Sequence, residues 1–343
     1  MLDNTIGEFS LQRLKDFIDG EMGRGAMDIE RVGGGQSNPT FFVTHGGRRM
    51  VLRKKPAGKI LPGAHAVERE YRVLSALEQT GVPVPKTLLL CRDPSIVGTP
   101  FYLMERLEGR VFHDSSLADL PPAARRPLYM AMADVMAALH AIDPASIGLS
   151  DFGRPGNYFA RQIARWSRQY DESPSPRIPV LEQVIDWLRE NQPADDGRVS
   201  IAHGDFRLGN MLFHPTEPRV VAILDWELST LGHPLADLGF CCLPWHTAPD
   251  EYGGILGLDH AALDLPTRDE FVARYYAFAR PTAALTSFHL AFALFRFAVI
   301  FVGIADRARA GNAAAANASQ MGPLAARLAV RAAELAVPQA VQN

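Results

Sequence analysis

His203-Gly204-Asp205-Phe206-Arg207-Leu208-Gly209-Asn210, followed fifteen positions after Asn210 by the Asp of Leu224-Asp225-Trp226-Glu227, is the stretch from which the rest of this sequence is read. A short apolar run precedes it at 199–202, and others follow at 211–214 and 220–224. Two carboxylates and one amide are therefore delivered on loops at strand ends. Hard oxygen donors of this kind suit Mg²⁺, which keeps water and phosphate oxygens in its remaining positions. A carboxylate just upstream can orient a hydroxyl and take its proton. Phosphoryl transfer needs both things: metal ions on the phosphates and a base beside the attacking oxygen.

Working outward, the N-terminal third reads as a helix at 8–19 and then strand-like runs at 29–32, 40–44 and 50–53. Gly33-Gly34-Gly35 and Gly46-Gly47 separate the runs, as hairpin connections do. Residues 64–79 carry Val67, Tyr71, Leu74 and Leu77 at helical spacing, with Gly81 and Pro83 as the stop. Strands at 87–91 and 101–106 complete a small antiparallel sheet with one helix inserted between its third and fourth strands. Beyond Gly109 the chain turns helical, at 122–141, 155–170, 178–191, 233–243, 267–280, 283–309 and 320–336. The expected fold is α+β and bilobal. The first lobe spans 1–107, with a leading helix within 1–26 and a hinge at about 104–108; the helical lobe spans 108–343.

The pattern H-x-D-x-x-x-x-N followed by a strand-end Asp resembles the catalytic and metal-binding segments of the protein-kinase-like superfamily. In the form HGDFRLGN…ILDWE it resembles the aminoglycoside phosphotransferase and choline kinase-like branch, which phosphorylates small molecules. The segment RKKPAGKILPGAHAVEREYRVLSAL is similar to phosphotransferase domains fused to some acyl-CoA dehydrogenases. The resemblance runs from about residue 27 to about 335 and is most specific through 203–240. It implies that Asp205 faces the substrate hydroxyl and that Asn210 and Asp225 hold Mg²⁺. Arg207 stands where many protein kinases have Lys and would neutralise charge on the transferred group by forked hydrogen bonds. Asp225-Trp226-Glu227 replaces the protein-kinase D-F-G, which leaves Glu227 as an outer or second-metal carboxylate.

The upstream parts follow in family order. Gly33-Gly34-Gly35-Gln36-Ser37-Asn38 falls where the family covers the ATP phosphates, so the resemblance gives Gly34, Gly35, Ser37 and Asn38 to the nucleotide. On the third strand, alternation puts Arg53 in the phosphate-pairing slot and turns Lys54 to the other side. Its helix partner is Glu70, because Glu68 lies on a different helix face. Met104, Glu105 and Leu107 correspond to the adenine hinge. Asp237, in Gly232-His233-Pro234-Leu235-Ala236-Asp237, corresponds to a structural brace of the catalytic loop, and His203 is read as a support of the same loop.

Composition narrows the function class. Lys and Arg number 35 against 38 Asp and Glu, a net charge of −3, so charge gives no reason to expect a nucleic-acid partner. The three cysteines, Cys91, Cys241 and Cys242, lack C-x-x-C spacing and fit a reducing, cytoplasmic setting. The N-terminal sequence lacks a basic region before an apolar run, so no secretory signal is expected. The apolar run 288–304 is broken by His289 and Arg296 and is read as a core helix, not a membrane span. No G-x-S-x-G elbow supports a hydrolase, and eleven residues between Asp225 and Asp237 leave no room for a protein-kinase activation loop. From 243 onward eight acids face eight arginines, and many aromatics accompany them, which argues against a polycationic sugar as substrate. The leading expectation is an ATP- and Mg²⁺-dependent kinase of a small-molecule hydroxyl, with a hydroxyacyl derivative suggested by the dehydrogenase-fused relatives. The choice between ATP and GTP stays open. The alternatives are a macrolide or aminoglycoside kinase and a non-catalytic ATP-binding regulator.

Overall fold

The computed structural model describes residues 5–6, 9–33, 38–57, 66–154, 156–279, 283–309 and 321–336. The chain divides into a smaller lobe, Met1–Gly109 with Val221–Glu227, and a larger one, Arg110–Val220 with Leu228–Asn343.

The small lobe begins with β1 (Thr5–Ile6), β2 (Phe9–Ser10) and α1 (Leu11–Met22). Then come β3 (Met27–Arg31), β4 (Thr40–His45), β5 (Arg48–Lys54), α2 (Val67–Leu77), β6 (Thr87–Cys91), the one-turn α3 (Pro94–Val97) and β7 (Phe101–Glu105). Five strands form one antiparallel sheet in the order β3-β4-β5-β7-β6. Gly46 and Gly47 have φ of 56° and 82°, the left-handed pair a two-residue hairpin turn requires, and they set His45 opposite Arg48. Alternation along the strands then fixes two faces. Phe41, Val43, Met50, Leu52, Phe101 and Leu103 pack with Leu14 and Ile18 of α1 into one core. The residues between them, Arg53 and Tyr102, are cross-strand partners, as are Val51 and Met104, and they share the opposite face. Lys54 shows the same rule from the other side: its Nζ lies 5.1 Å from the Phe9 ring and donates to the Val97 carbonyl at 2.7 Å.

The large lobe contains α4 (Pro122–Ala141), α5 (Tyr158–Asp171), α6 (Pro179–Glu190), β8 (Ser200–Ala202), β9 (Met211–Phe213), β10 (Val220–Ile223, whose end belongs to the small lobe) and β11 (Thr230–Gly232). It continues with α7 (Pro234–Cys241), α8 (Arg268–Phe278), α9 (Ser287–Arg309) and α10 (Met321–Ala336). Apolar faces of α5, α6, α7 and α10 pack around α9. By length and composition α9 could cross a membrane, but most of its residues are buried inside this protein. Gly239 lets α7 approach α9 closely, since a Cβ there would lie 2.8 Å from the His289 carbonyl oxygen. A second cluster joins α4 to α8, where Tyr129, Trp245 and Phe271 lie ring against ring.

The observed elements depart from the sequence reading chiefly at short pieces. β11 was not anticipated: Thr230-Leu231-Gly232 is too short to show alternation and exists because it pairs with β8. α3 was missed for the same reason. α9 begins at Ser287, not 283, because the Thr286 N–H and hydroxyl bond to His289 Nδ1 at its N-terminal end.

Candidate active site

In the large lobe the loop after β8 is held by peptide hydrogen bonds. The His203 and Gly204 N–H groups donate to Asp237 at 2.6 and 2.9 Å, and His140 Nε2 lies 3.4 Å from the same carboxylate. Burial alone would raise the Asp237 pKa. The hydrogen bond and charge of His140, the charge of His203 and the Gly204 N–H outweigh it, so the carboxyl sits below its ordinary value. Gly204 is required twice over: its φ is 85°, and a Cβ would meet the Leu228 carbonyl oxygen at 2.7 Å. The Arg296 guanidinium donates to the Gly204 carbonyl. The next N–H, of Asp205, donates to His203 Nδ1 at 3.2 Å, so His203 supports the loop through its ring.

These contacts aim the Asp205 carboxylate, which is partly exposed. Asn210 Nδ2 donates to Asp205 Oδ2 at 2.7 Å and to the Asp205 carbonyl at 2.8 Å. Arg207 Nε approaches the same Oδ2 at 3.3 Å. Asp205, Arg207 and Asn210 thus form one cluster. With its nitrogen committed to Asp205, the Asn210 amide keeps Oδ1 as an oxygen donor. Beside the loop lies a depression lined by Arg207, Leu208 and Gly209 together with His113, Tyr129, Met132, Phe240, Leu243, Tyr252 and Phe297. Among the described residues no Asp or Glu lines it.

In the small lobe the fixation is ionic. Arg53 Nε lies 3.3 Å from Glu70 Oε2, and Arg53 Nη2 donates to Asp225 Oδ1 at 2.9 Å. Glu70 is fully buried and also accepts from Tyr102 Oη at 3.0 Å and Asn38 Nδ2 at 2.5 Å. Burial pushes the Glu70 carboxyl up, and the Arg53 charge pulls it back. Burial also works against the Arg53 guanidinium, but Glu70 and Asp225 more than offset this and keep it charged. Asp225 has φ of 64°, a left-handed conformation that Asp tolerates better than most side chains. The loop is tied down by Ile223 N–H to the Pro83 carbonyl at 2.9 Å and by the Trp226 indole to the Ile223 carbonyl at 3.0 Å.

Arg53, Glu70, Asn38 and Asp225 therefore meet in one network, while Glu68 pairs elsewhere, with Lys55 at 2.8 Å. Met104 lies on the Arg53 face of the sheet. Glu105 closes β7, its N–H on the Lys86 carbonyl and its Oε1 accepting from Lys86 N–H. Leu107 is half-buried just beyond, and Glu227 sits in the turn after Asp225. Gly34, Gly35 and Ser37 lie outside the described residues. Among the described residues no three His, Cys, Asp or Glu gather as a metal cluster. Sequence reasoning missed Tyr102, though its shared face with Arg53 was a usable signal. It noticed Arg296 only as an interruption of an apolar run.

A base-like carboxylate held by an amide, with a buried Arg–Glu pair bound to a strand-end Asp, defines a phosphotransferase of the kinase-like class. The chain belongs to the phosphotransferase enzyme family, whose profile matches residues 28–284. A Ralstonia eutropha protein named as an aminoglycoside phosphotransferase has a crystal structure that superposes with a TM-score of 0.86. It is 45% identical and is covered over 96% of this chain and 98% of that one. The mouse acyl-CoA dehydrogenase family member 10 is 40% identical over 98% of this chain, which spans only 32% of that longer protein. The chicken acyl-CoA dehydrogenase family member 11 is 42% identical over 91% of this chain and 40% of its own length. This chain thus spans about a third to two fifths of these relatives.

Proposed function

We propose that this chain transfers the γ-phosphoryl group of ATP, with Mg²⁺, to the hydroxyl of a small molecule carrying an apolar part, of the hydroxyacyl kind. The observation that carries the reading is the Asp205 carboxylate, held by Asn210 and Arg207 on the loop beside an apolar depression that no Asp or Glu lines among the described residues. A polyamine sugar calls for acidic walls, and an acyl chain calls for Tyr129, Met132, Phe240 and Phe297.

In the proposed mechanism Asp205 accepts the hydroxyl proton while the acceptor oxygen bonds to the γ-phosphorus and the bond to the ADP oxygen breaks. Arg207 adds positive charge where the transferred group gains negative charge. Arg53, oriented by Glu70, pairs with nucleotide phosphates, aided by the glycine-rich segment through Gly34, Gly35, Ser37 and Asn38. Met104, with the backbone of Glu105 and Leu107, takes the adenine in the hinge at about 104–108. Asn210 Oδ1 and the Asp225 carboxylate are the oxygen donors that suit Mg²⁺, with Glu227 as an outer carboxylate. When bound, the metal supplies neutralisation of the phosphate charge. Most of the catalysis then comes from positioning.

The test is a metabolite screen. The protein is incubated with Mg²⁺-ATP and hydroxyacyl thioesters or a cell extract, beside Asp205→Ala, and species gaining one phosphoryl group are sought by mass spectrometry. Products formed by wild type alone support the reading. Phosphorylation of an aminoglycoside or macrolide in place of any acyl compound would overturn the acceptor class.

A further inference from the structure

We propose that Arg296 is a positioning residue for the catalytic loop, setting the direction of Asp205 through the peptide that precedes it; this rests on the assignment of Asp205 made above. Arg296 lies in the middle of α9, a long and mostly buried apolar helix of the large lobe, and is itself buried. A charged side chain at such a place is costly unless it is specifically paired. Its guanidinium sits 5.6 Å from the ring centres of both Trp166 and Phe240, and it donates to the Gly204 carbonyl, ninety-two residues away in the chain. Packing alone would be met by Leu or Met, which fill the same space without a charge to desolvate.

The target of that hydrogen bond decides the reading. Gly204 is the residue immediately before Asp205. Its N–H is held by the Asp237 carboxylate at 2.9 Å from α7, and its carbonyl is held by Arg296 from α9. One peptide-bearing residue is therefore gripped at both ends by opposite charges on two packed helices. Gly204 has no side chain and a left-handed backbone, so it has more conformations to lose than any other residue type. The grip removes that freedom. The Gly204 carbonyl belongs to the peptide whose nitrogen is the Asp205 N–H, which donates to His203 Nδ1. Fixing the plane of this peptide fixes the N–Cα axis of Asp205 and narrows the directions in which its carboxylate can meet Asn210 and Arg207. Asp237 without Arg296 would hold the entry to the loop and leave that plane to the single 3.2 Å hydrogen bond from Asp205 N–H to His203 Nδ1.

The experiment uses the full chain in three forms: wild type, Arg296→Met and Arg296→Lys. Amide hydrogen exchange is read by mass spectrometry over segments covering 200–212 and the rest of the large lobe. Hydrolysis of Mg²⁺-ATP, with water as acceptor, is measured in parallel. In Arg296→Met the 200–212 segment exchanges about tenfold faster while α5, α6 and α10 keep their protection. The hydrolysis kcat falls about 10- to 100-fold, the cost expected for a misplaced catalytic group, and KM for Mg²⁺-ATP stays within about twofold. Arg296→Lys, which keeps one donor, recovers much of both. Unchanged exchange over 200–212 in Arg296→Met overturns the proposal. So does faster exchange throughout the lobe in both variants, which makes Arg296 a packing residue. Should wild type hydrolyse no ATP, the phosphotransfer reading loses support while the exchange data still decide the clamp.

Discussion

The two lobes fix their functional carboxylates by different means. In the small lobe Glu70 and Asp225 are anchored by a buried cation, Arg53, at 3.3 and 2.9 Å. In the large lobe Asp205 is anchored by an amide and by a loop whose peptide groups are clamped. The first arrangement is a balance of charge: removing Arg53 strands Glu70, which is fully buried, and frees Asp225, which is about a third exposed. The second is a matter of shape: small changes in backbone redirect a carboxylate that no buried cation anchors. Loss of a residue should therefore destabilise the small lobe and misdirect the large one.

The largest stability effect expected is at Arg53. Arg53→Met leaves the buried Glu70 carboxyl without its cation, which costs about 3–5 kcal/mol. Urea unfolding should show this loss, and adding Glu70→Gln should return part of it, since the neutral amide needs no counter-charge. Equal stability of the single and double variants would break the charge-balance half of the comparison.

Gly204→Ala tests the other half. A Cβ at φ of 85° and 2.7 Å from the Leu228 oxygen forces the loop to shift, at a cost of about 1–3 kcal/mol. Turnover should fall well beyond what the lost stability explains, while Mg²⁺-ATP affinity changes little. A fall in turnover that only mirrors the unfolded fraction would count against the shape argument.

A pH scan separates the lobes further. Burial lowers the pKa of His233 and pushes His246 and His289 down to about 4, against an ordinary 6.5, all in the large lobe. Below pH 6.5 the unfolded chain takes up protons that the folded one refuses. Stability is full above 6.5 and is lost progressively as the pH falls towards 4. Tm should therefore drop between pH 7 and 4.5. His246→Phe should make the drop shallower, because its Nε2 is buried without a hydrogen-bond partner among the described residues. In the small lobe Asp19 is held below its ordinary value by Lys15 and His45, so it begins to count only near pH 4 and below.

The smallest effect sharpens the acceptor reading. Tyr252 is 47% exposed, has φ of 67° and meets Phe297 edge to face, ring centres 5.0 Å apart, at the depression beside the loop. Its strained turn is held by Glu251, which accepts from the Ala248 N–H and from Arg327 and Arg331 of α10. Tyr252→Ala should raise KM for an apolar acceptor severalfold with kcat nearly unchanged. An unchanged KM would remove Tyr252 from the acceptor site.

What the sequence made legible follows from range. Arg53 could be placed because strand alternation separates it from Lys54, and Glu70 because helical spacing separates it from Glu68. Both rules are local, and both side chains lie where the rules put them. The motif at 203–210 is also local, and the two-lobed α+β architecture was read from strand-like runs before Gly109 and helical spacing after it. Tyr102 was harder, since its role depends on lying opposite Arg53 in the register of β5 and β7. Arg296 could not be read at all. Its partner lies ninety-two residues away, and within its own helix it looks only like a flaw in an apolar face. The walls of the depression escaped for the same reason: the aromatics that the sequence singled out, Phe159, Trp166, Phe288 and Phe292 among them, went into the core around α9.

The central claim is that Asp205 is the group that takes the acceptor proton. Its most direct test compares Asp205→Asn with wild type for Mg²⁺-ATP affinity and for turnover with one acceptor. The amide keeps the shape and the loop's hydrogen bonds but cannot take the proton, so affinity should stay within about threefold while kcat falls about 10²- to 10⁴-fold. Turnover at the wild-type rate in Asp205→Asn would contradict the account.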